Sequence, residues 1–258
     1  MILERCKIRN VIQLLLVACF FVPSSSYANI FLNKEILKYD IQVMGVDMGE
    51  AEVSIVGKRQ WRGKPAYALL GNVKSNTKWS NIYPVDNMVA SIYNATKRMP
   101  VYTEMEFDFN RKIRNYNIWF NSGTGNLVKV RKNTKKIRRK FFNKKIPRNA
   151  QDLLSWIYYL RALKLSVGES FSFTIFSGNH SYTVKCKVEK IESLETRLGN
   201  HRAYVVNMKI TRNGNKRYRK EAVLWIDSHD TRLPLKAKVT MPFGLTEITL
   251  SSVSKKQL

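Results

Sequence analysis

The densest grouping of side chains that could do acid–base or metal chemistry is Asp227-Ser228-His229-Asp230. A carboxylate beside an imidazole can move a proton near neutral pH, so the catalytic reading is an envelope hydrolase acting on glycan or lipid through Asp227, His229 and Asp230. The four residues lie between Trp225-Ile226 and Arg232-Leu233, where a strand should run into a turn. Neighbouring side chains diverge in such a setting, whereas a metal needs three or four converging ligands, so a polar turn is the better reading. His180 follows Gly178-Asn179 and His201 follows Gly199-Asn200, which puts all three histidines in expected surface turns. No P-loop, Gly-x-Ser-x-Gly elbow, Cys-x-x-Cys or His-Glu-x-x-His occurs. These residues assign no catalytic group, no cofactor and no metal.

Two cationic features could bind instead of react. Lys129 to Arg148 holds eleven Lys or Arg in twenty residues, and no Asp or Glu occurs between Asp108 and Asp152. Within it, Lys135, Lys136, Arg138, Arg139 and Lys140 are the candidate contacts for an anionic partner. The plain alternative is a solvated basic hairpin whose Phe141 and Phe142 tuck under a sheet. Arg161 sits among Tyr158, Leu160 and Leu163. If buried, it demands a carboxylate partner or several carbonyls. It is either an ion pair pinning a helix to the sheet or an anion anchor in a cavity, and the ion pair is the preferred reading.

The elements that must position these groups follow mostly from a two-residue alternation. Leu37, Tyr39, Ile41 and Val43 alternate with Lys38, Asp40 and Gln42; Met105, Phe107 and Phe109 alternate with Glu104, Glu106 and Asp108. Each pattern describes a strand with one wet face. The same rhythm returns at Phe171–Ile175, Val184–Val188, Tyr204–Ile210 and Ala222–Ile226, and Asn213-Gly214 marks a hairpin turn. Ala150 to Leu163 breaks the rhythm: Leu153, Leu154, Ile157, Tyr158, Leu160 and Arg161 have helical spacing, and Asn149 or Asp152 could cap. The expected fold is all-β and mainly antiparallel, a curved sheet or open barrel-like domain with one buried helix near 150–163. Two packed halves meeting near residue 150 is the competing layout.

The N-terminal segment addresses location. Arg5, Lys7 and Arg9 precede an apolar run from Val11 to Val22, and Ser26-Tyr27-Ala28 offers small residues three places and one place before a cut after Ala28. This is the layout of a signal peptide, residues 1–28, and the apolar run is too short for a bilayer span. Leu16-Val17-Ala18-Cys19 is an alternative lipobox, which would anchor the protein through Cys19. The expected domain is then 29–258, exported to the periplasm. The chain carries 45 basic and 19 acidic residues, a net +26. The leader's three bases and one acid account for +2 of this, leaving +24. Such an excess favours polyanions. Export argues against nucleic acid and for an anionic envelope component, such as a lipid head group or acidic polymer, with peripheral membrane association as an option. Cys6 and Cys19 fall in the leader, so only Cys186 remains, on the apolar side of Val184-Cys186-Val188 and without a nearby base. It is expected to be a small buried hydrophobe.

Four groups of short motifs occur in order: Glu35-Ile-Leu37-Lys-Tyr39-Asp-Ile41 with Gly45 and Gly49-Glu-Ala51; Ile82-Tyr83-Pro84-Val85-Asp86 with Ser91; Asp152 to Arg161 running into Val167-Gly168-Glu169; and Leu224-Trp225-Ile226-Asp227 with Asp230-Thr-Arg232-Leu233-Pro234-Leu235. Together they resemble the bacterial DUF3108 family. The resemblance implies an exported, mostly β protein and supplies no catalytic residues; the basic stretch 129–148 has no counterpart in it. Taken together, the residues favour a non-enzymatic periplasmic binding or scaffold protein for an amphiphile or an anionic envelope polymer, with the hydrolase as the alternative.

Overall fold

Alternation becomes pleat. Leu37 and Tyr39 turn inward and are buried, while Lys38 between them is exposed, and the same in–out order recurs around the molecule. The computed structural model describes residues 34–255 apart from 83, 110–111, 122–123, 134–135, 148 and 242–243. For 109, 112, 121, 124–133, 136–140, 144 and 216 it describes the backbone alone. The leader and Cys19 lie outside the described residues, as does Lys135.

The strands are β1 (Glu35–Val43), β2 (Val46–Trp61), β3 (Lys64–Ser75), β4 (Val85–Asn94), β5 (Met99–Phe109), β6 (Lys112–Asn121), β7 (Thr124–Asn133) and β8 (Lys136–Lys145), followed by β9 (Ser170–Phe176), β10 (Ser181–Thr196), β11 (Gly199–Arg212), β12 (Asn215–Asp227), β13 (Pro234–Met241) and β14 (Gly244–Lys255). A short α1 (Thr77–Ser80) follows β3, and α2 (Ser155–Arg161) lies between β8 and β9. All fourteen strands form one sheet in the order β8-β7-β6-β5-β4-β3-β2-β1-β14-β13-β12-β11-β10-β9. Each neighbouring pair is antiparallel. Two meanders, β1 to β8 and β9 to β14, are therefore joined by the β1–β14 ladder. One continuous sheet replaces the layout of two packed halves. The Asn213-Gly214 turn forms as the sequence requires, with Gly214 at a φ of 79°.

This order makes β8 and β9 the two edges, so residues 146–169 must cross from one edge to the other. That obligation puts α2 inside the curve. Gln151 pairs with β9 as a single parallel bridge, its N–H donating to Thr174 O at 2.7 Å while Phe176 N–H donates to Gln151 O at 2.8 Å. Its side chain reaches back to Arg98 O at 2.8 Å, in the β4–β5 turn. Phe176 meets Phe120 of β6 edge-on with centroids 6.3 Å apart, and Asn179 Nδ2 donates to Tyr116 OH at 2.8 Å. The sheet thus curls until β9 faces β6, and the β7–β8 hairpin extends past this seam.

The helix is shorter than the periodicity suggests. Residues 150–154 are irregular because Gln151 is spent on β9 and Asp152 takes the first helical N–H groups. Leu154 then packs so close to Gly71 that a Cβ there would lie 3.1 Å from a Leu154 methyl. Leu154, Tyr158 and Ala162 join Leu37, Leu69, Tyr93 and Leu250 in the central core. Leu160 and Leu165 join the β9–β12 side.

Candidate functional site

The inner face of the sheet and α2 enclose an open cavity of about 370 Å³. Tyr39, Ala51, Val53, Val89 and Phe107 form one wall, Leu224, Ile226 and Ile248 another, and Trp156, Ile157 and Leu160 of α2 the floor. The volume lies in the range of roughly 300–1,000 Å³ typical of small-molecule sites. The lining is almost wholly apolar because strand positions of one parity all face inward and α2 presents its apolar residues to them. The floor is rigid. Trp156 stacks on Phe173 with centroids 6.5 Å apart, and its Nε1–H donates to Leu153 O at 3.1 Å.

Two buried polar assemblies hold that floor. Asp152 is fully buried, and its Oδ1 accepts the N–H groups of Leu154 and Ser155 at 2.7 and 2.6 Å. Its Oδ2 accepts the hydroxyls of Ser91 at 2.6 Å and Thr103 at 2.5 Å. Ser91 and Thr103 stand opposite each other on β4 and β5, so one carboxylate ties two strands to the start of α2. At the other end of the helix, Arg161 is paired through Nη1 with Glu35 Oε1, and Nη2 donates to Glu35 Oε2 at 3.0 Å. Nε and Nη2 also donate to Thr231 O. Burial alone would lower the Arg161 pKa, but the Glu35 carboxylate outweighs it, and the guanidinium is held charged. Arg161 lines the cavity, yet its guanidinium is engaged with Glu35 and Thr231, which is the ion-pair reading of this residue.

The acid–base candidates sit elsewhere. Asp227 is buried at the end of β12, and its Oδ1 accepts from His229 N–H and Nδ1 at 3.0 and 2.6 Å. His201 Nδ1 lies 3.0 Å from Oδ2. His201 is therefore not a surface turn residue: it stands on β11, close to Asp227 across the ladder, with an 18% exposed side chain whose buried Nε2 has no hydrogen-bond partner among the described residues. The β-hairpin register that places it there could not be read from local composition. Asp230 does not join this group through any hydrogen bond among the described residues, nor does any hydroxyl or thiol bond to either imidazole. Burial pushes the Asp227 carboxyl up, but the His229 N–H and the two imidazoles outweigh it and hold it below the usual carboxylate range. None of these residues lines the cavity. The described residues contain no cluster of three or more His, Cys, Asp or Glu able to hold a metal. Cys186 is buried in the β9–β12 core, which pushes its thiol up to about 12.

The basic stretch is the β7–β8 hairpin, with Lys136, Arg138, Arg139 and Lys140 on the edge strand β8. Phe141 and Phe142 do not tuck under the sheet: they are 77% and 41% exposed, because β8 is an edge strand beyond the seam.

A family model described as "Protein of unknown function (DUF3108)" matches residues 38–251. This chain belongs to the DUF3108 family. The matched span runs from β1 into β14 and contains every residue that lines the cavity. Among solved structures, a β-barrel-like protein of the DUF1849 domain from Brucella abortus is similar at TM-score 0.58 and 8% identity, covering 88% of this chain and 99% of that one. That likeness establishes the curved-barrel fold for the DUF3108 chain. The hypothetical lipoprotein YmcC from Escherichia coli aligns at TM-score 0.32 and 8% identity, over 88% of this chain and 89% of its own. No curated protein matches.

Proposed function

We propose that this DUF3108 protein is an exported envelope binding protein, without catalytic activity, whose cavity holds the apolar part of an amphiphile. One observation carries this reading: the inside of the sheet is left partly unfilled, with a rigid aromatic and aliphatic lining. A 230-residue core could have been packed solid; apolar space kept open costs stability and is understandable if a ligand occupies it. Export rests on the leader, whose order of charge, apolar run and small residues matches a signal peptide.

The hydrolase reading has the Asp227 cluster in its favour; against it, none of Asp227, His229 and Asp230 lines the cavity, and among the described residues no hydroxyl or thiol bonds to either imidazole. The deciding experiment uses the mature protein, stripped of lipid on a hydrophobic resin and titrated with the neutral fluorophore N-phenyl-1-naphthylamine. Saturable binding, displaced by dodecanol and lost in Ala51→Trp at unchanged melting temperature, is the expected result. A wild-type protein that takes up neither compound sinks the proposal.

A further inference from the structure

The cavity opens at one end of the curled sheet. Tyr39, Ala51, Val73, Asn87 and Phe107 stand in register across β1 to β5, and all five line it. Val73 is the exposed member of the lining, two residues before the Ser75 end of β3. The opening therefore faces the β1–β2 turn, the β13–β14 turn and the α1 loop. Backbone and side-chain hydrogen bonds fasten these three together. Met44 N–H, in the β1–β2 turn, donates to Leu245 O at 2.8 Å in the β13–β14 hairpin. Asp47 O, just past the turn, accepts from Asn76 Nδ2 at 2.9 Å and from Trp79 Nε1 at 3.0 Å. Ile82 N–H donates to Trp79 O at 3.0 Å, and Val46, Trp79 and Ile82 line one open pocket. Met44, Val46, Ile82 and Leu245 thus stand on linked turns, and all four are exposed, Met44 by 74% and Ile82 by 72%.

Turn chemistry does not ask for these residues. Met44 and Gly45 both have positive φ, 50° and 80°, an arrangement that favours Asn or Asp before Gly. The Arg62-Gly63 turn, joining β2 to β3 at the opposite end, has φ of 50° and 73° and presents a charge instead. Met44 is also held in place: a Cβ on Gly244 would lie 2.5 Å from its Cγ. A fixed, bulky apolar side chain in left-handed backbone, facing water beside three more, is understandable if an apolar partner meets it. Basic groups flank the tips. Lys78 of α1 is exposed. β12 reaches beyond its ladder with β13, where Lys220 Nζ donates to Thr240 O at 3.4 Å, and the hairpin beyond carries exposed Arg217 and Arg219. Arg212 to Lys220 holds five basic residues and no acid. Asp47 and Asp86, beside the tips, are engaged, the first by Gln42 Nε2 at 2.7 Å and the second by Lys74 at 3.9 Å.

We propose that this rim docks on an anionic phospholipid bilayer. Met44, Val46, Ile82 and Leu245 enter the headgroup boundary, Lys78, Arg217 and Arg219 meet lipid phosphates, and the cavity mouth lies against the membrane. Separate apolar tips among basic side chains suit such a surface, whereas a stable protein partner needs a continuous patch of about 800 Å² on each side. The net charge of +26 favours the same partner. The inference builds on the cavity reading above, for which a bilayer is the source of the amphiphile.

Sedimentation of the mature protein with sucrose-loaded vesicles of phosphatidylethanolamine and phosphatidylglycerol tests the rim. The wild type should bind, and more tightly as the share of phosphatidylglycerol rises. Met44→Asn/Ile82→Ser should bind at least about tenfold more weakly, with unchanged melting temperature and unchanged affinity for dodecanol in solution. Asn is chosen at 44 because it tolerates positive φ. Val56→Thr/Leu198→Ser removes exposed apolar groups from β2 and from the β10–β11 turn and should bind as the wild type does. An environment-sensitive fluorophore on Ile82→Cys should shift to the blue on vesicles, and one on Leu198→Cys should not; Cys186 is buried and does not compete for the label. Should Met44→Asn/Ile82→Ser not fold, the labelled pair still decides. A wild type that ignores these vesicles, or a double variant that binds them equally, overturns the docking rim and leaves the cavity reading standing. A double variant that loses only self-association in analytical ultracentrifugation and keeps its vesicle binding makes the rim a contact between copies, and the proposal is wrong. Rim-dependent binding by a protein that takes up no dodecanol upholds the rim and removes the cavity reading alone.

Discussion

Arg161, inside the curled sheet, and Arg114, Arg131 and Arg138, at one level of β6, β7 and β8, place the same residue type in two different parts of the fold. Arg161 is almost fully buried, and its donors go to the Glu35 carboxylate and the Thr231 carbonyl. The other three share one cross-strand level of β6, β7 and β8, on a stretch with no acid. The first arrangement spends charge on fixing α2 against β1. The second sets like charges opposite one another at the end of the cross-strand row whose first five members line the cavity. The first arrangement serves stability, and the second opposes it.

The sharpest way to break the comparison is at Glu35. Glu35→Ala strands a buried guanidinium and should cost about 3–5 kcal/mol in urea denaturation, whereas Glu35→Leu with Arg161→Met should recover most of that loss. A small effect of Glu35→Ala would mean that Arg161 is not held as described. Next in size is Asp152→Ala. It leaves the N–H groups of Leu154 and Ser155 and the hydroxyls of Ser91 and Thr103 without their acceptor. A loss of about 2–4 kcal/mol is expected, with reduced hydrogen-exchange protection through α2 and β9.

A smaller effect concerns acid. The folded Asp227 carboxyl lies below its ordinary value of about 3.9, so its contribution is present above that pH and is lost as pH falls through the depressed folded value. Asp227→Asn should flatten stability against pH in this window, and an unchanged acid limb would show that the imidazoles do not hold the carboxylate. His201→Ala should cost more than His229→Ala, since the His229 side chain is 72% exposed and that of His201 only 18%. The least effect on stability is expected from Arg131→Gln/Arg138→Gln. Relief of like-charge opposition should leave stability within about 0.5 kcal/mol or raise it, and should weaken its dependence on salt. A clear loss would reveal acidic partners for the hairpin and erase the contrast with Arg161.

Much of the architecture is legible without coordinates. Period-two alternation over Leu37–Val43, Met105–Phe109 and Val184–Val188 marks the strands and their inner faces, and Asn213-Gly214 marks a hairpin, because pleat and turn are local consequences of residue type. The alternation also buries Cys186. The need of Arg161 for a carboxylate follows from its apolar helical neighbours, but nothing in the chain singles out Glu35, 126 residues away. Asp152 looks like a helix cap and is one in effect, yet its grip on Ser91 and Thr103 depends on which strands pass over it. By sequence His201 falls in a turn after Gly199-Asn200, and only the β11–β12 register carries it to Asp227. The basic stretch is visible as composition, while the alignment of Arg131 with Arg114 and Arg138 waits on the pairing of β6, β7 and β8.

The sequence alone therefore determined a β-rich body, one helical interruption and a concentration of positive charge, since each is set by neighbours along the chain. Tertiary structure decided the rest: which edges of the sheet the crossing segment 146–169 joins, that a cavity remains beneath α2, and that its wall runs in register to three arginines. Strand order and register are settled by contacts between residues far apart in sequence, and those contacts compete as a whole rather than one residue at a time.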